Sequence, residues 1–390
     1  MAELESLDPD VPGDLSIVVQ GSLYDWNLVQ TAAHCEHWRR LFPAAEIVLA
    51  VATTDILLGS TGKRHVVDDP QLVPDLRHNG LFQAALRRLT NACDRLVLSE
   101  GAMPLPPIKF DTKVNNVNLM IVAAKAGLAN VGGRYTLRVR SDMIFLDRSV
   151  IGFYLAHRDL PRRMPRAFRQ RVMISPYFTL NPYAMERLPF HFSDWFNLGL
   201  TEDVRALWSI EEMPLADGSY HAARPHSAAA NRLERKFRVR VAVEQHIAFG
   251  FLRAHYPECH LEVLTDRRSA QRSVEILLDE FLICDHGAVP TILDKYARTF
   301  SDPNMQLLCI TYPLWRRLLD VPSGTDFTTY FAETSRRARL EVLIREHPAL
   351  RPVRLARGIA RTVRRSLAWL WPDGGTTALV PSKAPSGMLR

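Results

Sequence analysis

Residues Tyr135 to Phe145 read YTLRVRSDMIF, an apolar strand-like run that delivers Arg140, Ser141 and Asp142 at its carboxyl end. A carboxylate there can hold a divalent cation, which neutralises a diphosphate as it leaves. Arg140 stands two residues before this single acid, so two electrostatic solutions are open. Either manganese or magnesium binds at Asp142, or the guanidinium takes phosphate oxygens bidentately and replaces part of the metal's charge. The plainer alternative is an Arg140–Asp142 ion pair at a strand end, a common arrangement on protein surfaces.

A second group, PFHFSDWFNLGLTEDVRALW from Pro189 to Trp208, packs His191, Ser193, Asp194 and Trp195 into five residues. Trp195 could offer a face to a sugar ring while His191 and Asp194 hold or deprotonate a hydroxyl. Equally, Ser193 or Asp194 could cap a helix expected over Asp194 to Trp208. Two further clusters, His34-Cys35-Glu36-His37 and His255 with Cys259 and His260, lack the four ligands at recognisable spacing that structural zinc needs.

The elements that must position these residues are legible from hydrophobic runs. Leu15 to Gln20 and Glu46 to Ala52 read as buried strands, and Arg95 to Ser99 and Tyr135 to Val139 as further strands; Thr31 to Phe42 and Asn116 to Ala129 read as helices between them. Alternation of this kind predicts a largely parallel sheet whose ligands collect at the carboxyl ends of the strands. Gln20, Gly21, Thr53 and Asp55 lie at the first two of those ends and are expected to hold a nucleotide. Further on, Arg171 to Thr179 reads as a strand, Val243 to His255 as a helix and Asp217 to Ala230 as a loop.

With 47% hydrophobic and 23% charged residues among 390, the composition is that of a globular chain, not of a disordered or multispanning one. The net charge of +7 is unevenly spread: from Arg336 onward twelve basic residues face Glu341, Glu346 and Asp373, so the body before them is slightly acidic. That distribution speaks against a nucleic-acid partner and for contact with an anionic surface. A helical projection puts Leu355, Ile359, Val363, Leu367 and Leu370 on one side and Arg354, Arg357, Arg361, Arg364 and Arg365 on the other, with Trp369 and Trp371 at the end. This suits the anionic inner face of a membrane, though an ordinary docked helix with a solvated arginine face fits as well. Five scattered cysteines suggest no disulfide framework. There is no basic, apolar leader and no run of eighteen apolar residues, so a cytoplasmic protein, peripheral to the membrane at most, is expected.

Four blocks, LSIVVQG (Leu15 to Gly21), LRVRSDMIF, RVMISPYFTLNP and above all PFHFSDWFNLGLTEDVRALW, occur in the order and spacing of the WavE lipopolysaccharide synthesis family, which the chain resembles over roughly residues 14 to 265. The resemblance implies an α/β, GT-A-like (Rossmann-like) fold, a mostly parallel sheet flanked by helices, with a helical C-terminal extension. It implies a glycosyltransferase that passes a sugar from a nucleotide-sugar donor to a lipopolysaccharide, capsule or other surface-glycan acceptor, free or lipid-linked. Carried over by position, donor binding falls on Gln20, Gly21, Asn116, Asn118, Arg138, Arg140, Ser141 and Asp142, with Asp142 the metal position. Leu119 and Met120 depart from the family's helix pattern, which implies a different sugar from that of its relatives. Acceptor binding falls on Ser193 and Trp195, and catalysis on Glu244, Asp194 and His191, with Glu244 the first candidate for the base. Glu244 could instead serve its helix start, where acids are favoured by the dipole. The organisation expected is a tail over 1–13, a donor half over 14–145, an acceptor half over 146–320, a basic helical extension over 321–372 and a loose tail over 373–390. A noncatalytic glycan-binding or assembly protein on the same fold is the alternative.

Overall fold

Every residue of Leu15–Gln20 (β1) is buried, although alternate side chains point to opposite faces, so the sheet around it is covered on both sides. The computed structural model describes residues 14–24, 27–57, 80–110, 114–293, 296, 305–346 and 352. Seven strands form the main sheet: β1, β2 (Glu46–Ala52), β3 (Arg95–Ser99), β4 (Tyr135–Arg140), β5 (Val172–Ile174), β6 (Phe196–Leu200) and β7 (Phe281–Ile283). Their spatial order is β7-β5-β6-β4-β1-β2-β3. All neighbours run parallel except at β6, which is antiparallel to both β4 and β5.

Helix α1 (Leu28–Leu41) packs on β2 and on α2 (Gly80–Ala92), and α3 (Val117–Ala129) lies across β1, β2 and β3. The approach of α3 depends on Gly127, where an added Cβ would lie 2.7 Å from both Ala50 Cβ and Val18 Cγ1. Then come α4 (Ser149–His157), α5 (Thr201–Trp208), α6 (Val243–Leu252), α7 (Ala270–Glu280), α8 (Tyr312–Leu319) and α9 (Ala332–Glu346).

Three expectations need correction. The helix expected from Asp194 begins only at Thr201, because Phe196 to Leu200 is drawn into the sheet between β4 and β5; neither Ser193 nor Asp194 caps a helix. A short apolar run fits either state by periodicity alone, and strand partners decide it. The strand expected to reach Thr179 ends at Ile174, just before Pro176, which has no N–H for a ladder. The stretch expected to loop from Asp217 contains two single-turn helices, Leu215–Gly218 and Tyr220–Ala223.

The chain forms two compact units, residues 1–339 and 340–390. Of the expected basic extension, residues 321–346, which include α9, and 352 are described; Leu355 to Trp371 and both expected tails lie outside the described residues. All five cysteines are buried free thiols, and no helix among the described residues is long and apolar enough to cross a membrane.

Candidate active site

Register places the site. Gln20 is the Cα partner of Arg140 across β1 and β4, so the two strand ends stop level. Because β6 runs backwards, its leading end meets the trailing end of β4: Arg138 pairs with Asn197, and the Arg140 N–H donates to the Trp195 carbonyl at 3.3 Å. The RSD and H-x-SDW segments, some fifty residues apart in sequence, are thereby brought to one rim.

Arg138 and Arg140 project from the same face of β4. Arg138 is 1% exposed. Its Nε donates to Gln20 Oε1 at 2.6 Å, its Nη1 to the Asp194 carbonyl, and its guanidinium lies 4.2 Å over the Trp208 ring. Burial pulls its pKa down to about 9, against the opposing pull of the Asp194 carboxylate, so it stays charged at neutral pH. Gln20 also donates from Nε2 to the Met120 carbonyl at 2.6 Å, so its amide orients Arg138 from the interior.

Arg140 grips Asp142 with two parallel bonds, Nε to Oδ1 at 2.8 Å and Nη2 to Oδ2 at 2.7 Å. The side chains are 21% and 33% exposed, a half-open pair at the strand end. Burial alone would lower the Arg140 pKa; the Asp142 carboxylate outweighs it and raises it. The turn carrying the pair is pinned from three directions. The Ser141 N–H donates to the Gln20 carbonyl at 2.7 Å. His34 Nδ1 and His37 Nε2 on α1 donate to the Ser141 and Phe145 carbonyls at 2.7 Å each. A Cβ on Gly21 would fall 1.8 Å from Ser141 Oγ, so only glycine lets the two strand ends approach.

His191 enters from a tightly held segment. Phe190, just before it, and Phe178, whose carbonyl accepts from His191 Nδ1 at 2.8 Å, have φ of 58° and 63°. Left-handed backbone at bulky residues costs about 1–3 kcal/mol each and persists where the surroundings impose it. With Nδ1–H committed to a carbonyl, His191 turns Nε2 toward Glu244 Oε2 at 3.2 Å. That contact is attractive only with a proton between the two atoms, so His191 and Glu244 act as one proton-holding pair. Glu244 is the second residue of α6. Burial pushes its pKa up, His191 opposes this, and Asp194 adds to it. Gln245 fastens the helix start: it accepts from the Ala242 N–H at 3.0 Å and donates to the Pro189 and Leu264 carbonyls at 2.7 and 3.0 Å.

Trp195 is 2% exposed and stacks on Tyr177 and Tyr296, with centroids 5.8 and 4.8 Å away. The expected sugar platform is therefore covered by other rings. Tyr296, unmarked in the sequence, lies 5.8 Å below the Arg140 guanidinium, and its phenol feels the charges of Arg140, Asp194, Glu244 and Asp142. Other expected binders make bonds within the protein or stand beside an element that does. Asn118 uses both ends of its amide on the Met213 backbone, at 2.8 and 3.0 Å. Thr53 donates to the Ser99 carbonyl at 3.2 Å, and Ser193 is buried in the turn, its N–H on Thr179 Oγ1. Asn116 precedes α3 without a side-chain cap bond. The Asp55 side chain lies outside the described residues.

The donor set does not fit a divalent cation. Both Asp142 oxygens face Arg140, and no group of three or more His, Cys, Asp or Glu side chains among the described residues is arranged to hold a metal. Unit charges ~4 Å apart interact by about 4 kcal/mol at a protein-like dielectric, so a dication sharing Asp142 with Arg140 would meet roughly twice that in repulsion.

The mostly parallel seven-stranded sheet flanked by helices, with a single reversed strand, is the α/β fold class expected from the sequence. Residues 108–290 match the model of the WavE lipopolysaccharide synthesis family, a span that holds Arg140, Asp142, His191, Asp194 and Glu244 but begins after β1. Among solved structures, a galactosyltransferase LgtC in complex with donor and acceptor sugar analogs is similar over 49% of this chain at 11% identity and a TM-score of 0.27. This chain spans 59% of that one's length. An active-site mutant of LgtC is similar over 72% of this chain and 98% of its own, at 9% identity and 0.28. TarS from S. aureus is similar over 48% and 47%, at 11% and 0.22. No curated protein sequence matches the chain.

Proposed function

We propose that this protein is a glycosyltransferase of surface-glycan synthesis, moving a sugar from a nucleotide-sugar donor to a hydroxyl of a lipopolysaccharide or related acceptor. The observation that carries the reading is the link that Asp194 makes between the arginines of β4 and the His191–Glu244 pair: its carbonyl accepts from Arg138, and its charge acts on Glu244. Residues 14–145 serve the donor, whose diphosphate lies against the ends of β1 and β4; residues 146–320 serve the acceptor. The bond between the anomeric carbon and the diphosphate oxygen breaks, and its electron pair leaves with the nucleoside diphosphate. The acceptor oxygen bonds to the anomeric carbon, and its proton passes to the Glu244 carboxylate, which His191 orients and Asp194 keeps basic. Tyr296 takes the place expected of Trp195 beside the sugar. Arg354 to Arg365 serve contact with an anionic inner membrane face, where lipid-linked acceptors would be met from the cytoplasm.

The test is incubation of purified protein with a panel of nucleotide sugars and a lipopolysaccharide acceptor. Release of nucleoside diphosphate together with labelled glycan supports transfer. Glycan binding with no release from any donor refutes it in favour of a noncatalytic glycan-binding protein.

A further inference from the structure

We propose that Arg140, aimed by Asp142, is itself the countercharge for the donor's pyrophosphate, and that this anion binds without a divalent cation. The inference rests on the glycosyl-transfer reading for its substrate class, but its geometry stands alone. A guanidinium has two usable edges. Asp142 occupies the Nε/Nη2 edge of Arg140 with both oxygens, leaving the Nη1/Nη2 end, which makes no hydrogen bond to protein among the described residues. That end presents parallel N–H groups at the spacing of two phosphate oxygens.

The guanidinium is held for such a task. Its backbone is fixed by the ladder to Gln20 and by the bond to the Trp195 carbonyl, and its Cζ lies 5.8 Å over the Tyr296 ring. Arg138, two residues back on the same face, is fully buried and is repelled by Arg140. Two guanidinium groups on one strand face gain from a multiply charged anion placed before them. A dication in the same place would add to their repulsion. Asp142 is then a positioning residue: both of its oxygens bond Arg140, and its charge sets the plane and direction of the Arg140 fork.

Inorganic pyrophosphate titrated calorimetrically into the full chain tests this, first with a chelator present and then with manganese or magnesium. Binding in chelator is expected, changed less than about 2-fold by the metal. Arg140→Gln should weaken it about 10- to 100-fold, the range of a charge-assisted pair of bonds. Arg140→Lys should recover only part, because a point charge has no fork. Asp142→Asn should weaken binding less than Arg140→Gln does. Arg169→Gln, which disrupts an exposed pair with Glu202 elsewhere, should change nothing and so controls for net charge. Thermal midpoints of all variants separate lost binding from lost fold. Wild-type affinity in folded Arg140→Gln, or binding that vanishes in chelator and returns with manganese, overturns the proposal. The two readings fail separately. Metal-independent, Arg140-dependent pyrophosphate binding with no sugar turnover removes the transferase reading alone; turnover that requires manganese for pyrophosphate binding removes this one alone.

Discussion

Replacing Glu244 with glutamine isolates a proton acceptor from the scaffold around it. In the wild type, His191 commits Nδ1–H to the Phe178 carbonyl and meets Glu244 through Nε2 at 3.2 Å. A glutamine amide keeps the size of the side chain and supplies the N–H that this contact needs, so His191 should stay in place. What disappears is a carboxylate able to take a proton. General-base contributions are typically 10²- to 10⁴-fold, so kcat should fall by roughly that factor while donor KM moves little. The pH profile carries the sign. Burial raises the Glu244 pKa above the usual carboxylate range, so the deprotonated base, and with it kcat, should rise with pH through a midpoint above that range; Glu244→Gln should lack this limb. Stability runs the other way. A raised folded-state pKa favours the protein below the unfolded pKa and loses that contribution as pH rises through the folded value. The thermal midpoint of Glu244→Gln should therefore gain on wild type as pH rises through that window. Steady-state assays by nucleoside diphosphate release and thermal melts across pH measure both. A variant with kcat within about 3-fold of wild type, or one that retains the limb, would refute the assignment of the base.

Other variants probe the supports. Gly21→Ala forces a Cβ to within 1.8 Å of Ser141 Oγ and should cost about 1–3 kcal/mol by denaturant melting, partly restored by Ser141→Gly in the same chain. Gln245→Ala strands the Ala242 N–H and two carbonyls in the interior; at about 1–3 kcal/mol per unsatisfied group, a loss of at least ~2 kcal/mol is expected in the same measurement. His34→Ala removes a donor from the Ser141 carbonyl and should lower pyrophosphate affinity several-fold by calorimetry, with unchanged affinity counting against a pinned turn.

The buried strands were legible because their runs are long, β-branched and uninterrupted: LSIVVQ and EIVLAVA match their observed limits, Leu15–Gln20 and Glu46–Ala52. FNLGL was not, since a short, mostly apolar run before TEDVRALW fits the start of a helix until β4 and β5 claim it. At the site, residue type revealed charge but not orientation. Asn118 and Thr53 are polar groups near strand ends, as nucleotide ligands would be, yet backbone groups far along the chain consume their hydrogen bonds. Conversely, His34 and His37 resemble stray metal ligands and prove to be braces on a turn over a hundred residues away. Tyr296 had no local signal, because its importance comes from Trp195 and Arg140 and not from its neighbours in sequence.

The backward course of β6 has a mechanical consequence. Groups proposed to serve the two substrates are joined by a continuous ladder from Tyr135–Leu200 to Val139–Phe196, with no hinge between them. Separating them would mean unzipping β4 from β6, whose residues are nearly all buried, so adaptation to a new donor or acceptor should proceed through side chains at the rim while the two strands stay joined.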